Sequence, residues 1–123
     1  MTGNGKDTAL GDRDRDPRRA AVRRLNDGLR QTFEGGDILM TPAVRSLPIP
    51  EMKDLLVAVQ RFDAFTEQND PHGEHDFGSI EQGGATYFWK IDCYDRDRVF
   101  ASPDPADPSV TARVMTVMRA DEY

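Results

Sequence analysis

The densest run of side chains able to do chemistry is Asn69-Asp70-Pro71-His72-Gly73-Glu74-His75-Asp76, followed later by Lys90-x-Asp92 and Cys93. Its histidines are the only two in the chain. Carboxylate oxygens suit hard divalent cations such as Mg²⁺ or Mn²⁺, and a lysine beside a metal-bound phosphate can stabilise developing negative charge. Glu74, Asp76 and Asp92 with Lys90 would thus frame metal-assisted phosphodiester hydrolysis, with His75 as a further ligand or general base. The order Lys90-x-Asp92 reverses a common nuclease signature, in which the acid comes first. His72 and His75 could share a zinc ion on a helical turn, with carboxylates or Cys93 completing the set, but Gly73 between them favours a loop. The same residues also have a purely structural reading. Asp70-Pro71 can form a turn, the aspartates can accept from nearby backbone amides, and Asp76 can pair with Lys90 across two strands. A Gly-rich phosphate loop, a G-x-S-x-G elbow and a CxxC pair are all absent from the sequence.

These residues need a hairpin to position them. Phe77 to Glu81 reads as a strand, Gln82-Gly83-Gly84 as its turn, and Ala85 to Cys93 as the longest strand. A three-residue turn pairing Glu81 with Ala85 sets Phe77 opposite Trp89, with Tyr87 and Ile91 on the same face. Asp76 then faces Lys90 and Glu74 faces Asp92 on the other side, and a slip of one residue would scatter them. Alternation puts Cys93 on the Trp89 face, as a small buried thiol rather than a nucleophile served by His75.

Three helices are expected around that hairpin. Asp16-Pro17 is an N-cap with proline in the first turn. Val22, Leu25, Leu29 and Phe33 follow on one face and Arg19, Arg23, Arg24 and Arg30 on the other, until Gly35-Gly36 stops the helix. The arginine face can bind an anion or an acidic partner, or simply stand in solvent. Ile38 to Thr41 is a short strand, and the Pro-rich turn Leu47-Pro48-Ile49-Pro50 opens a second helix through about Phe62. Met52, Leu55, Leu56, Val59 and Phe62 form its core stripe. Arg98-Val99-Phe100 is a candidate edge strand, and Asp107-Pro108 should start a final helix burying Val110, Val114, Val117 and Met118. The order is α-β-α-β-β-(β)-α, an α+β domain over residues 13–123 with about three helices on one face of a mainly antiparallel sheet of three to four strands. Residues 1–12 read as a disordered tail.

Charge narrows the partner. The net charge is −6, but residues 1–30 carry +3 (eight basic, five acidic) and residues 31–123 carry −9 (eight basic, seventeen acidic). Eleven acids lie between Asp63 and Asp107 against Lys90, Arg96 and Arg98. Such a surface repels nucleic acid and matches a basic protein, although acidity also serves solubility alone. A single cysteine excludes an internal disulfide and fits a reducing compartment. The N-terminus lacks the apolar core of a signal peptide, and the longest apolar run, Leu55 to Val59, is far short of a membrane span. A cytoplasmic location without membrane association is expected.

Three segments resemble a known family: Asn69 to Gly78, Phe88 to Asp95, and Asp104-Pro105-Ala106-Asp107-Pro108 with Val114 to Met118 and Glu122-Tyr123. Together they resemble the uncharacterised bacterial family called domain of unknown function 3768, over roughly residues 18–123. Cys93 departs from its pattern, where an aromatic residue is usual. The resemblance implies one compact bacterial domain and carries no activity with it. Three functional expectations follow. The first is a non-enzymatic acidic binding protein without a cofactor, an inhibitor or regulator of a nucleic-acid-handling protein of anti-restriction or anti-CRISPR type. It would act through Glu74, Asp76, Asp92, Asp95 and Asp97. The second is a divalent-metal-dependent phosphodiester hydrolase with ligands from His72, Glu74, His75, Asp76 and Asp92. The third is a housekeeping interaction module, including a homodimer built on the open sheet face or an edge strand.

Overall fold

The computed structural model describes residues 16–123. The tail expected at residues 1–12 and the domain start at 13 lie outside that range. Helix α1 spans Pro17–Thr32. Asp16 caps it by accepting from the backbone N–H groups of Arg18 and Arg19, and Pro17 supplies the preset first turn. Its end is a left-handed Phe33 (φ 60°) whose N–H returns to the Leu29 carbonyl, ahead of the glycines expected to stop it. Strand β1 (Asp37–Met40), the single turn α2 (Pro42–Arg45) and helix α3 (Ile49–Gln60) follow. Strands β2 (Phe77–Gln82), β3 (Ala85–Tyr94) and β4 (Ala112–Arg119) complete the sheet.

The strands lie in the order β1-β4-β3-β2, with β1 parallel to β4 and the other pairs antiparallel. The α+β class, the strand number and the helices on one face hold, but the sheet is mixed. The largest correction concerns the last element, which is strand β4 and not a helix. Asp107-Pro108 starts only a 3-10 turn, Pro108–Val110. Strand β4 sits between β1 and β3 and is buried on both faces, so Val114, Met115, Val117 and Met118 are all inside. A strand enclosed on both sides loses its period of two, and Val110, Val114, Val117 then mimic a helical stripe. The edge strand expected at Arg98-Val99-Phe100 is also absent: Tyr94 and Ala101 form one isolated bridge across that loop.

One face of the sheet carries the core. Leu29 of α1, Val44 of α2, and Leu55 and Val59 of α3 pack on Tyr87, Trp89 and Ile91 of β3 and Met115 and Val117 of β4. The expected stripe of α3 is therefore core, with Met52, Leu56 and Phe62 packed at its margin. Arg30 is a correction. It is 2% exposed rather than solvated, and its guanidinium lies 5.3 Å from the Phe65 ring centroid and 5.1 Å from that of Trp89. The chain after α3 covers this residue and supplies the aromatic face that a cation favours.

The C-terminus locks the opposite end of β4. Glu122 accepts from Thr41 Oγ1 at 2.5 Å, from the Ala43 N–H at 3.0 Å and from the Arg119 N–H at 2.8 Å. These donors, the Thr41 hydroxyl first, hold its carboxyl below the usual range.

Candidate functional site

The hairpin turn decides where the chemistry-bearing side chains go. Gly83 (φ 60°) and Gly84 (φ 80°) form a two-residue turn, so Gln82 pairs with Ala85, Glu81 with Thr86 and Phe77 with Lys90. This register differs by one residue from that expected of a three-residue turn. Two consecutive positive φ angles match the twist of the flanking strands, which favours the shorter loop. Gly78, not Phe77, therefore lies opposite Trp89. Phe77 moves to the helix-free face, where its ring stands 5.1 Å from Phe88, and Phe88 stands 5.6 Å from Tyr123.

The slip also dismantles the expected cross-strand pairs. Asp76 joins Ile91 through the backbone, its carbonyl accepting the Ile91 N–H at 2.8 Å, and Lys90 acts on its carboxylate only by charge. Lys90 instead pairs with Asp92, its neighbour two residues along the same strand. Burial alone would lower the Lys90 pKa, but the hydrogen bond and charge of Asp92 outweigh it and raise it.

His75 is held, not free to ligate. Its left-handed backbone (φ 54°) turns the ring onto Phe65, stacked with centroids 3.7 Å apart. Nδ1 lies 2.8 Å from Asp27 Oδ1, and Nε2 lies 3.5 Å from Asp70 Oδ2. Asp27 also accepts from Arg30 Nη1 at 2.9 Å. The histidine thus fastens the 62–76 loop to α1, together with Asn26 and Arg23, which donate to the Glu74 and Gly73 carbonyls. Asp27 and Phe65, the residues that hold His75, gave no local signal, because each lies far from it in the chain. His72 is exposed. Among the described residues no group of three or more His, Cys, Asp or Glu side chains could hold a metal ion.

The acids expected to bind a partner separate into three environments. Glu74 and Asp76 remain neighbours, and neither forms an ion pair among the described residues. Loss of solvent contact raises the pKa of both. Repulsion from Asp76 adds to the effect at Glu74, and repulsion from Asp70 adds at Asp76. Asp76 is exposed at its surface, so its desolvation comes from protein packed along one side of the carboxylate. Asp92 is neutralised by Lys90. Asp95 caps the following loop by accepting the Val99 N–H at 3.0 Å, and Asp97 stands exposed. Cys93 lies on the Trp89 face as expected but is half-buried at the core margin rather than fully buried, and burial pushes its thiol pKa up, with Glu74, Asp76 and Asp92 adding to the rise. A raised pKa lowers the thiolate fraction that a nucleophile needs.

A family described as "Protein of unknown function (DUF3768)" matches residues 40–122 of this chain. The chain belongs to that family. The matched region contains the whole sheet apart from most of β1, the acidic loop and Glu122, whereas α1 lies outside it. No curated protein matches the chain, and no solved structure does. Among the described residues no helix is long and apolar enough to cross a membrane.

Proposed function

We propose that this chain is a non-enzymatic binding protein that docks the carboxylates beside its hairpin against a basic protein surface. The observation that carries this reading is the pair Glu74 and Asp76, two neighbouring carboxylates that form no ion pair among the described residues and on which the charges of Arg19 and Lys90 act only as smaller opposing influences. Like charges held together raise the energy of the isolated protein, and a guanidinium or ammonium from a partner removes that repulsion. Asp95 and Asp97 in the next loop extend the negative field, with no ion-pair partner among the described residues. Basic channels that hold phosphates are the matching surfaces, so the partner class is a nucleic-acid-handling protein. A restriction or CRISPR effector nuclease inhibited by phosphate mimicry is the specific form.

The test is DNA cleavage by a panel of purified restriction and CRISPR effector nucleases, with and without the full chain. Inhibition that weakens steeply between low and physiological salt, and that is lost in a Glu74→Lys/Asp76→Lys variant, is the expected result. Inhibition that ignores both salt and charge reversal would refute the electrostatic mechanism. Absence of inhibition across the panel would refute the partner class.

A further inference from the structure

A concave cleft of about 460 Å³ lies between the C-terminal half of α1 and the loops flanking β4, away from the acidic hairpin. Four arginines line it, Arg24, Arg96, Arg98 and Arg113, with Glu34 as the one acid among its lining residues. Arg113 is 4% exposed, yet among the described residues it forms no ion pair. Its Nε donates to Asn26 Oδ1 at 2.7 Å and its Nη2 to the Pro105 carbonyl at 2.6 Å, both neutral acceptors. Buried charges are normally paired, so a guanidinium at the floor of a cleft with only neutral partners leaves a place for an anion. Arg24 and Arg96 likewise have no ion-pair partner among the described residues, whereas Arg98 pairs with Asp37.

The local charge identifies the anion. Among the residues lining the cleft and their ion-pair partners, four guanidiniums less the carboxylates of Glu34 and Asp37 leave two positive charges in excess. A phosphate monoester carries about −1.5 to −2 at neutral pH. The volume is larger than one phosphate needs and falls within the usual range for small organic ligands. Leu25, Leu29, Pro108 and Ala112 give it an apolar wall. Gly28 is an independent sign of space kept open. Glycine is unfavourable inside a helix, yet a Cβ built on Gly28 would meet nothing within 4 Å, so no close packing explains it.

We propose that this cleft binds a small phosphate monoester of nucleotide size, with Arg113 at its floor and Arg24 and Arg96 closing on the phosphate from the rim. It is distinct from the Glu74 and Asp76 site, although Arg96 and Arg98 share a loop with Asp95 and Asp97, and it stands whether or not the hairpin docks a protein. The experiment is calorimetric titration of the full chain with AMP, inorganic phosphate, adenosine and citrate. AMP should bind, adenosine should not, and inorganic phosphate should compete with AMP. Arg24→Ala and Arg96→Ala remove exposed side chains, so folding should survive, and each should weaken AMP binding about tenfold. Gly28→Leu should block the cleft without altering any charge. Arg113→Ala can disturb folding through Asn26 and Pro105, so the rim variants and Gly28→Leu carry the test. Failure of both AMP and phosphate to bind at millimolar concentration, equal binding of citrate, or full AMP affinity in all three of these variants would overturn the proposal.

Discussion

Replacing Gly78 with alanine tests the hairpin register, on which the placement of every acidic side chain depends. In the register expected from a three-residue turn, Gly78 would lie opposite Phe88 on the helix-free face. Alanine there would be favourable by roughly 0.5–1 kcal/mol, since glycine weakens a strand interior. In the observed register Gly78 lies opposite Trp89, and its added Cβ would fall 2.3 Å from Nε1, 2.6 Å from Cε2 and 2.8 Å from Cζ2 of the indole. The indole has nowhere to retreat. It is 0% exposed, with the Phe62 and Phe65 rings edge-on at 5.5 and 6.1 Å and the Arg30 guanidinium over it. Overpacking of this kind costs about 1–3 kcal/mol, which lowers Tm by roughly 4–12 °C in a domain of this size. Trp89 is the sole tryptophan, so its fluorescence reports unfolding by heat or urea directly. Trp89→Phe is destabilising by itself through the space it leaves, but it should relieve the clash. The double variant is expected to be at least about 1 kcal/mol more stable than the sum of the two single changes. An unchanged or raised Tm in Gly78→Ala, or strict additivity in the double variant, would show that the register argument is wrong.

Further outcomes follow from the buried charges and the carboxylates. Asp27→Ala should destabilise by about 3 kcal/mol in a urea titration, because it leaves Arg30 buried without its carboxylate, whereas the double variant Asp27→Ala/Arg30→Met, which removes both charges, should recover most of that loss. Glu74 and Asp76 have raised pKa values, so their contribution to stability is present below the unfolded pKa and is lost as pH rises through the folded value. Glu74→Gln and Asp76→Asn should therefore raise stability at neutral pH and not at pH well below the carboxylate range. The gain should be only about a few tenths of a kcal/mol each, since solvent still screens both groups. Glu122 has the opposite sign. Its lowered pKa gives a contribution present above the unfolded pKa and lost as pH falls through the folded one, so Glu122→Gln should flatten the acid limb of a Tm-against-pH curve. Cys93 should react with a thiol-specific disulfide reagent far more slowly than free cysteine at neutral pH, and at a free-thiol rate only after unfolding.

Local chemistry determined much of this protein from sequence alone. Asp16-Pro17 starts α1, the stripe Met52, Leu55, Leu56, Val59 marks the core face of α3, and Gly83-Gly84 closes a hairpin around Trp89. Each of these signals arises within about one or two turns of chain, where caps, helical period and φ preference act directly. The one-residue register was legible too, in the preference of paired glycines for a two-residue turn, but it needed that turn type to be chosen over its longer rival. Tertiary structure alone decided the rest. Strand β4 looks helical because enclosure by β1 and β3 removed the alternation that would have revealed it. Arg30 and Arg113 carry the same charge as the solvated arginines near them, and only the covering aromatic rings and neutral acceptors from distant segments make them interior. The pairing of His75 with Asp27, the partial burial of Glu74 and Asp76 beside one another, and the gathering of four arginines in one cleft likewise depend on segments that only the fold brings together. A sequence specifies which side chains can interact, but the energy of a charge depends on what surrounds it, and those surroundings exist only once the sheet has closed.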